Sequence, residues 1–212
     1  MKGQFITFEG IDGSGKSTQI YLLAEYLQTL GQRIVLTREP GGTHISDQVR
    51  KILLNPDNTN LDAMAELFLY AASRTQHVRD VISPSLDAGH TVLCDRFSDA
   101  TLAYQGYGRG LDLEMIRTID RFVTGQMRPN ITILLDIDPS AGLGRAHGRN
   151  SSRGLETEAR FENEKLAFHE RVRRGYLQLA GQEPDRIRII DASLPPESVQ
   201  LAIRACIQKI YA

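Results

Sequence analysis

The sequence predicts an α/β fold in which a five-stranded, mostly parallel sheet is flanked by helices and carries a short lid. Five short apolar runs rich in β-branched residues alternate with longer stretches of 3.6-residue periodicity, which is the pattern of βαβ units. A glycine-rich motif stands between the first run and the first periodic stretch. The chain has 212 residues, of which 41% are hydrophobic, so we expect a single domain over residues 1–212.

The elements follow one another in chain order. The predicted strands cover residues 5–8, 34–37, 91–94, 131–135 and 187–190, and the predicted helices cover residues 16–30, 61–87, 112–123, 159–180 and 196–211. Gly31 is placed to stop the first helix and Pro196 to open the last. Residues 148–157 are polar and rich in Gly and Ser, which predicts a loop between two helices within a lid over about residues 145–158.

Composition and charge exclude several classes of function. The formal net charge is −1, which provides no overall attraction to nucleic acid or to an anionic membrane. No apolar run approaches the ~18 residues that span a bilayer, and the N-terminus lacks a secretory signal pattern. We therefore expect a cytoplasmic location without nucleic-acid or membrane partners. Cys94 and Cys206 show no disulfide or metal-ligand spacing and are expected to be buried free thiols.

The strongest motif is Gly-Ile-Asp-Gly-Ser-Gly-Lys-Ser-Thr at residues 10–18, which fits the P-loop pattern directly after the first strand. The backbone N–H groups of such a loop and the N-terminus of the following helix bind phosphate. Lys16 is expected to reach the β- and γ-phosphates of ATP, and Ser17 to ligate Mg²⁺. The predicted ATP site contains Gly10, Ile11, Asp12, Gly13, Ser14, Gly15, Lys16, Ser17 and Thr18.

A P-loop alone does not distinguish a kinase from a GTPase switch or an ATP-driven machine. The Asn-Lys-x-Asp motif that reads guanine occurs nowhere in the sequence, which argues against a switch GTPase. The small size of the chain and the arginines of the predicted lid favour γ-phosphoryl transfer to a small acceptor in a closed, water-excluding site.

Two arginines at strand ends indicate what kind of acceptor binds. Ligands of open α/β sheets bind at the carboxyl ends of the strands, where Arg38 follows the second strand and Arg96 the third. Guanidinium groups bind phosphate oxygens through paired hydrogen bonds. An anion site built from Arg38 and Arg96 therefore fits an acceptor that already carries a phosphate.

These motifs together resemble the bacterial thymidylate kinases, P-loop nucleoside monophosphate kinases that make dTDP from dTMP and ATP in thymidine nucleotide biosynthesis. The resemblance extends over essentially the whole chain. It rests on the P-loop with its internal acid, on Arg-Glu-Pro-Gly-Gly-Thr at residues 38–43 and on Asp-Arg-Phe-Ser-Asp-Ala-Thr-Leu-Ala-Tyr-Gln-Gly at residues 95–106. The lid arginines and Asp-Ala-Ser at residues 191–193 add to it.

The resemblance implies a dTMP site. Arg38 and Arg96 would hold the dTMP phosphate, and Asp12 would orient the acceptor on the 3′-hydroxyl side of the sugar. Phe68 would stack on thymine, although helical periodicity alone favours a core position for it. The site implied in full is Asp12, Arg38, Phe68, Arg74, Arg96, Thr101, Tyr104 and Gln105, with Arg74 and Gln105 on the polar edge of thymine and Tyr104 against the deoxyribose.

Two departures from the family pattern bear on the site. Family members commonly carry Ser-Thr where this chain has Ala100 followed by Thr101, so Thr101 would act alone. Position 13 is glycine rather than the arginine of the eukaryotic pattern, so the cation for the transition state must come from elsewhere. We expect lid closure to supply it through Arg149 and/or Arg153. The catalytic set is then Asp12, Lys16, Arg96, Arg149 and Arg153.

We expect Asp95 to join Ser17 at Mg²⁺ through a water molecule. The resemblance also implies the remaining partners. The adenine of ATP would lie between Arg145 and residues 191–193. Family members are usually homodimers, with the helix at 61–87 or that at 159–180 as the expected interface.

Alternative functions stay open. Another small-acceptor deoxynucleoside or nucleotide kinase would carry the same P-loop, but the arginine pair and the base-binding residues argue against it. A non-catalytic ATP-binding switch would have little use for lid arginines. The five histidines have no metal-site spacing, and none is assigned to catalysis. The sequence leaves open whether Pro40 is cis.

Overall fold

The computed structural model describes residues 3–153 and 159–211, with the backbone alone described at residues 147, 149–153 and 209–211. Within these residues, a sheet is formed by β1 (Phe5–Glu9), β2 (Ile34–Arg38), β3 (Thr91–Asp95), β4 (Ile131–Asp136) and β5 (Ile187–Asp191). The strand order is β2-β3-β1-β4-β5 and every adjacent pair is parallel. The predicted fold class and the five predicted strands are confirmed.

The three central strands are buried along almost their whole length, whereas the edge strands β2 and β5 are partly exposed. A strand that is covered on both faces needs a near-continuous apolar run. The central strands can therefore be identified as strands from the sequence. Thr7 of β1 and Thr132 of β4 are buried polar residues. They hydrogen-bond to each other through hydroxyls 2.8 Å apart, which offsets the cost of their burial.

Helices flank the sheet. They are α1 (Lys16–Thr29), α2 (His44–Leu54), α3 (Ala63–His77), α4 (Ser83–Asp87), α5 (Ser98–Thr101), α6 (Leu113–Thr124), α7 (Pro139–Arg153), α8 (Leu166–Gln182) and α9 (Pro196–Tyr211). Two π-helical segments, Val78–Ile82 and Leu102–Gly108, continue α3 and α5. The predicted helices at 16–30, 112–123 and 196–211 are confirmed within two residues, and Gly31 follows α1 with φ +76°, as its predicted stop role requires.

Several predicted boundaries are wrong. The helix predicted at 61–87 is α3, a π-helical segment and α4 in succession, and the helix predicted at 159–180 begins only at Leu166. The loop predicted at 148–157 is wrong in its first part, because α7 continues to Arg153. A single glycine inside a helix costs only about 1 kcal/mol, so Gly148 does not end α7. Residues 154–158 lie outside the described residues.

The apolar core lies on both faces of the sheet. Phe5 packs with Ile82 and Phe97 on one face, while Ile6 and Phe8 belong to a larger cluster, because successive side chains of a strand point to opposite faces. No helix in the described part of the chain is long and apolar enough to cross a membrane. The two cysteines are free; Cys94 is buried as expected, whereas Cys206 is only partly buried.

Candidate active site

The carboxyl ends of β1, β2 and β3 open onto one cleft of about 600 Å³, a volume typical of small-ligand sites. It is lined by most of the predicted site residues: Asp12, Gly13, Gly15, Lys16, Ser17, Thr18, Arg38, Arg74, Asp95, Arg96, Thr101, Tyr104, Gln105 and Arg145. The structure therefore brings the two predicted nucleotide sites into one continuous space. Gly10, Ile11 and Ser14 belong to the same loop without lining the cleft.

The P-loop is shaped by glycines and by contact with α7. Gly13 and Gly15 have φ values of +75° and +92°, a region that glycine adopts without strain. A Cβ atom at Gly13 would lie 1.9 Å from the carbonyl oxygen of Gly142. Helix α7 thus packs directly on the loop and leaves no room for a side chain at position 13.

Lys16 folds back over the P-loop. Its Nζ donates to the carbonyl oxygens of Gly10 and Ile11 at 3.1 and 2.9 Å. Burial and the neighbouring charge of Arg96 lower the pKa of Lys16 to about 8. Because a phosphate beside the ammonium group favours its charged form, this environment suits the binding of an anion.

Ser17 and Asp95 lie together at the start of α1 and the end of β3. The Oγ of Ser17 donates to Oδ2 of Asp95 at 3.3 Å. Hydroxyl and carboxylate oxygens are ligands that Mg²⁺ prefers, and Mg²⁺ usually retains several waters. The pair therefore fits a magnesium ion held by Ser17 directly and by Asp95 through water.

Arg96 connects β3 to the P-loop. Its backbone has φ +71°, which is uncommon for a residue other than glycine. Its guanidinium donates to the Gly10 carbonyl and, at 2.6 Å, to Oδ1 of Asp12. The same group lies over the ring of Tyr104, 5.1 Å from the centroid, where a cation is attracted to the ring face.

Asp12 is held in its ionised form. Burial alone would raise its pKa, but the charges of Arg96 and Lys16 outweigh that effect and lower the pKa to about 2. The hydroxyl of Tyr104 donates to Oδ2 of Asp12 at 3.3 Å. Asp12, Arg96 and Tyr104 thus form one hydrogen-bonded group beside the P-loop.

Arg38 stands at the open side of the cleft. Its side chain is 56% exposed, and its Nη2 lies 3.5 Å from a carboxylate oxygen of Asp47. Ion pairs this exposed contribute about 0–1 kcal/mol, so little holds Arg38 in place. The Glu39–Pro40 peptide bond that follows is cis.

Arg74 is buried deep in the cleft and is oriented by four partners. Its Nε donates to Glu39 at 2.7 Å and its Nη1 to Asp120 at 3.1 Å, while Nη2 donates to the Phe97 carbonyl and to Oγ1 of Thr101 at 3.0 and 2.9 Å. A guanidinium group has five N–H donors, so one N–H on Nη1 is left without a partner in the described residues. The orientation of this donor is fixed by the other four contacts.

Phe68 does not reach the cleft, which corrects the role that the resemblance implied for it. Its side chain is 55% exposed, so it is not a core residue either. The aromatic side chain of α3 that lines the cleft is Tyr70. Residues two positions apart in an α-helix, such as Phe68 and Tyr70, are separated by about 200° of rotation. The two rings therefore point to opposite sides of α3.

Several lining residues are not among the predicted site residues: Tyr21, Glu39, Arg50, Leu54, Tyr70, Phe161 and Glu162. Glu39 lies inside the motif at residues 38–43, so its charge next to Arg38 is a sequence feature that could have indicated a place in the site. Arg50 and Leu54 lie on α2, a helix that had not been predicted. Phe161 follows the lid, and its ring stands edge-on to Tyr104 with centroids 5.4 Å apart.

The base of the lid lies against the loop that follows β5. Nη1 of Arg145, on α7, donates to the carbonyl oxygen of Ala192 at 3.0 Å, so Arg145 and residues 191–193 meet beside the P-loop. Arg149 and Arg153 lie on the same helix, but their side chains lie outside the described part of the structure.

A parallel sheet with a P-loop after its first strand, and a second anion-binding group at the neighbouring strand end, defines a nucleotide-binding protein of the P-loop kinase class. Comparisons with known proteins specify the family. The family model described as thymidylate kinase matches residues 8–203. The chain belongs to the thymidylate kinase family.

Individual relatives agree with this assignment. The chain is 57% identical to a thymidylate kinase of Syntrophotalea carbinolica over 89% of this chain and 88% of that protein. It is also 57% identical to one of Trichlorobacter lovleyi over 94% of both chains. The crystal structure of thymidylate kinase from Ehrlichia chaffeensis superposes with a TM-score of 0.78 at 37% identity, covering 98% of this chain and 99% of that one.

Proposed function

We propose that the protein transfers the γ-phosphoryl group of ATP to dTMP, producing dTDP and ADP for the synthesis of dTTP. The observation that carries the proposal is the continuous cleft, in which the P-loop Lys16 and the arginines Arg38 and Arg96 open onto the same space as a buried base pocket. Such a cleft fits a donor triphosphate and an acceptor monophosphate side by side. Membership of the thymidylate kinase family identifies the pair as ATP and dTMP.

The acceptor phosphate is held between Arg38 and Arg96. Arg96 leaves its contacts with Gly10 or shares them with a phosphate oxygen, while Asp12 keeps the guanidinium aligned. An oxygen of the acceptor phosphate then attacks the γ-phosphorus, and the bond to the ADP oxygen breaks. Little covalent chemistry falls to the protein, so positioning and charge stabilisation provide the rate.

The donor phosphates lie on the P-loop. The loop N–H groups and the N-terminus of α1 bind the phosphate oxygens, and Lys16 moves from its carbonyl partners to the β- and γ-phosphates. Ser17 and Asp95 would hold Mg²⁺, and the bound ion would neutralise part of the phosphate charge. The adenine lies between Arg145 and residues 191–193.

The additional transition-state cation comes from Arg149, Arg153 or both. Gly142 occupies the space next to position 13, so the P-loop itself offers no site for an arginine there. Helix α7 contains Gly142, Arg145 and the two lid arginines. Movement of this one helix would therefore bring the adenine site and the lid arginines towards ATP at the same time.

The thymine ring stacks on Tyr70, which replaces Phe68 in this role, and its polar edge faces Arg74, Thr101 and Gln105. Tyr104 stands against the deoxyribose. This combination of one aromatic face with a few oriented polar groups is how small planar ligands are held.

A homodimer is the oligomeric state that the surface favours. Helix α3 packs against both α2 and α6, and each of the three exposes apolar side chains, among them Ile52, Phe68 and Phe122. Phe122 is 86% exposed, and neighbouring helices that expose large apolar side chains are candidates for an interface. Helix α8 is the weaker candidate, because Phe168, Val172 and Tyr176 are already buried in the core.

An ADP-release assay tests the proposal. The protein would be incubated with ATP, Mg²⁺ and, in turn, dTMP, dUMP, thymidine, dCMP, AMP and GMP. Fast turnover with dTMP, slower turnover with dUMP and none with thymidine is expected. Preference for thymidine would show that Arg38 and Arg96 do not hold an acceptor phosphate, and ADP release without an acceptor would identify an ATPase. The expected cytoplasmic location is a separate prediction, tested by cell fractionation.

A further inference from the structure

Glu66 is a completely buried carboxylate of α3 that does not line the cleft and has no part in the proposed mechanism. Its Oε2 accepts from Arg160 at 2.7 Å and from Nη2 of Arg109 at 3.2 Å. Its Oε1 accepts from Nε of Arg109 at 3.2 Å and from Nε2 of Gln105 at 2.8 Å. Two guanidinium groups and one side-chain amide therefore converge on a single carboxylate.

This arrangement decides which end of the Gln105 amide faces the cleft. A carboxylate paired with guanidinium groups offers only acceptors, so Gln105 must present its NH₂ group to Glu66. Gln105 is 1% exposed and lines the cleft, and its Oε1 accepts no hydrogen bond from the described residues. The end that remains for a ligand is thus the carbonyl oxygen.

Two other residues that line the cleft have hydrogens left to donate. Arg74 keeps one unpaired N–H on Nη1, and Thr101, whose Oγ1 already accepts from Arg74, can donate its own hydroxyl hydrogen. The cleft is therefore lined by one fixed acceptor, Oε1 of Gln105, and by two residues with a hydrogen left to donate, Arg74 and Thr101. A thymine or uracil edge, with an N3–H donor beside an O4 acceptor, matches this pattern. A cytosine edge, with an N3 acceptor beside an amino donor, has the reverse pattern.

We propose that Glu66 is a positioning residue for base selection: by holding the NH₂ group of Gln105, it makes the pocket side of that amide an acceptor and so rejects cytosine. The inference rests on the proposed binding of the acceptor base beside Arg74 and Gln105. Glu66 itself touches no substrate.

The Glu66→Gln variant tests this. In this variant, Arg160 and Arg109 still donate to the side-chain oxygen at position 66, so the new NH₂ group at position 66 faces Gln105. Gln105 must then turn its carbonyl oxygen towards position 66 and present its own NH₂ group to the base. The kcat/KM for dTMP should fall by about tenfold to a hundredfold through KM for dTMP, with KM for ATP unchanged. The ratio of kcat/KM for dTMP to that for dCMP should fall at least about tenfold.

Glu164→Gln is the matched control, because Glu164 pairs with the same Arg109 but does not contact Gln105. It should leave the dTMP to dCMP ratio unchanged. A ratio that stays constant in Glu66→Gln, or that falls equally in Glu164→Gln, overturns the role of Glu66. Failure of the proposed function would differ from this, since the unaltered protein would then not phosphorylate dTMP at all.

A second measurement covers the case in which Glu66→Gln does not fold. In the unaltered protein, NMR of ¹⁵N-labelled glutamine side chains reports on the Gln105 amide, assigned with Gln105→Met. Slow exchange of its NH₂ hydrogens without ligand, with little change in their shifts on addition of dTMP, is expected if Glu66 retains them. Fast exchange, or a large shift of those hydrogens on binding, would mean that the NH₂ group faces the ligand.

Discussion

Gly142 of α7 lies against Asp12 of the P-loop so closely that a Cβ atom at position 142 would come within 2.8 Å of the Asp12 carbonyl oxygen. Gly144, one half-turn further along the same helix, has nothing within 4 Å of the corresponding position. The two glycines therefore differ in the free space around them, although they lie on the same helix. Only Gly142 determines how closely α7 approaches the P-loop.

Replacing each glycine by alanine separates the effect of helix propensity on stability from the effect of the contact between Gly142 and Asp12. Gly144→Ala should raise the free energy of unfolding by roughly 0.5–1 kcal/mol. Gly142→Ala should lower it by about 1–3 kcal/mol, because the new methyl group forces the backbones apart, and should raise KM for ATP. Thermal denaturation and steady-state kinetics provide the measurements. Equal stability of the two variants would contradict the packing of α7 on the loop.

Tyr70 and Phe68 form a second pair for comparison. Tyr70→Leu should lower kcat/KM for dTMP by about tenfold or more, since loss of a stacking ring removes on the order of 1–3 kcal/mol, whereas Tyr70→Phe should retain most of it. Phe68→Leu, a control on the opposite side of the same helix, should leave dTMP kinetics within about twofold. A larger effect at Phe68 than at Tyr70 would restore the role first expected for Phe68.

This pair also illustrates what the sequence could and could not specify. The apolar runs of β1, β3 and β4 were recognisable because a strand covered on both faces has a local signature. Which side of α3 faces the cleft depends on how α3 packs against α2 and α6, and no local pattern encodes that rotation. The motif at residues 10–18 located the P-loop because its chemistry is contained in nine consecutive residues.

The buried polar contacts of the site escaped prediction for the same reason. Glu66 binds Gln105 and Arg160, which lie 39 and 94 residues away in the chain, and a lone glutamate on a helix gives no sign of such partners. For α2, by contrast, a signal existed: Thr43 caps the helix by accepting from the backbone N–H of Ser46 at 3.1 Å, as a Thr at this position is expected to do.

The proposed dimer can be tested at the most exposed aromatic residue. Phe122→Lys should convert a dimer to a monomer in sedimentation velocity at micromolar concentration, because a charge cannot be buried there without a partner. Leu201→Lys is the control, since Leu201 is also exposed, 66%, but lies on α9. A monomeric unaltered protein, or a dimer that survives Phe122→Lys, would rule out the α2-α3-α6 surface.

The lid arginines are tested by alanine substitution. Loss of an arginine that contacts the transferring group costs on the order of 10³ in turnover in related chemistry, so Arg149→Ala, Arg153→Ala or the double variant should lower kcat by about that factor with a smaller effect on KM for dTMP. Arg174→Ala, on the exposed side of α8, should leave kcat within about twofold. Unaltered turnover in the double variant would show that the cation comes from elsewhere.

Because of Glu9, we expect the free energy of unfolding to fall as the pH rises. Its Oε1 accepts from the Phe97 N–H at 2.8 Å, and its Oε2 lies 2.7 Å from the hydroxyl of Tyr176. Burial, together with the nearby charge of Asp99, raises the pKa of Glu9 to about 8, above its ordinary value of about 4.3 in the unfolded chain. The folded state therefore binds a proton that the unfolded state releases between these two values.

Stability contributed by this group is fully present below about pH 4 and is lost as the pH rises towards 8. Glu9→Gln keeps the acceptor for Phe97 and a donor for Tyr176 but cannot ionise. Between pH 6 and pH 8, the unaltered protein should lose roughly 2 kcal/mol of unfolding free energy relative to this variant. Urea denaturation of both proteins at the two pH values provides the comparison, in which other titrating groups cancel. Parallel pH dependence of the two proteins would mean that Glu9 is ionised in the folded state, stabilised by Arg96 and by the two hydrogen bonds it then accepts.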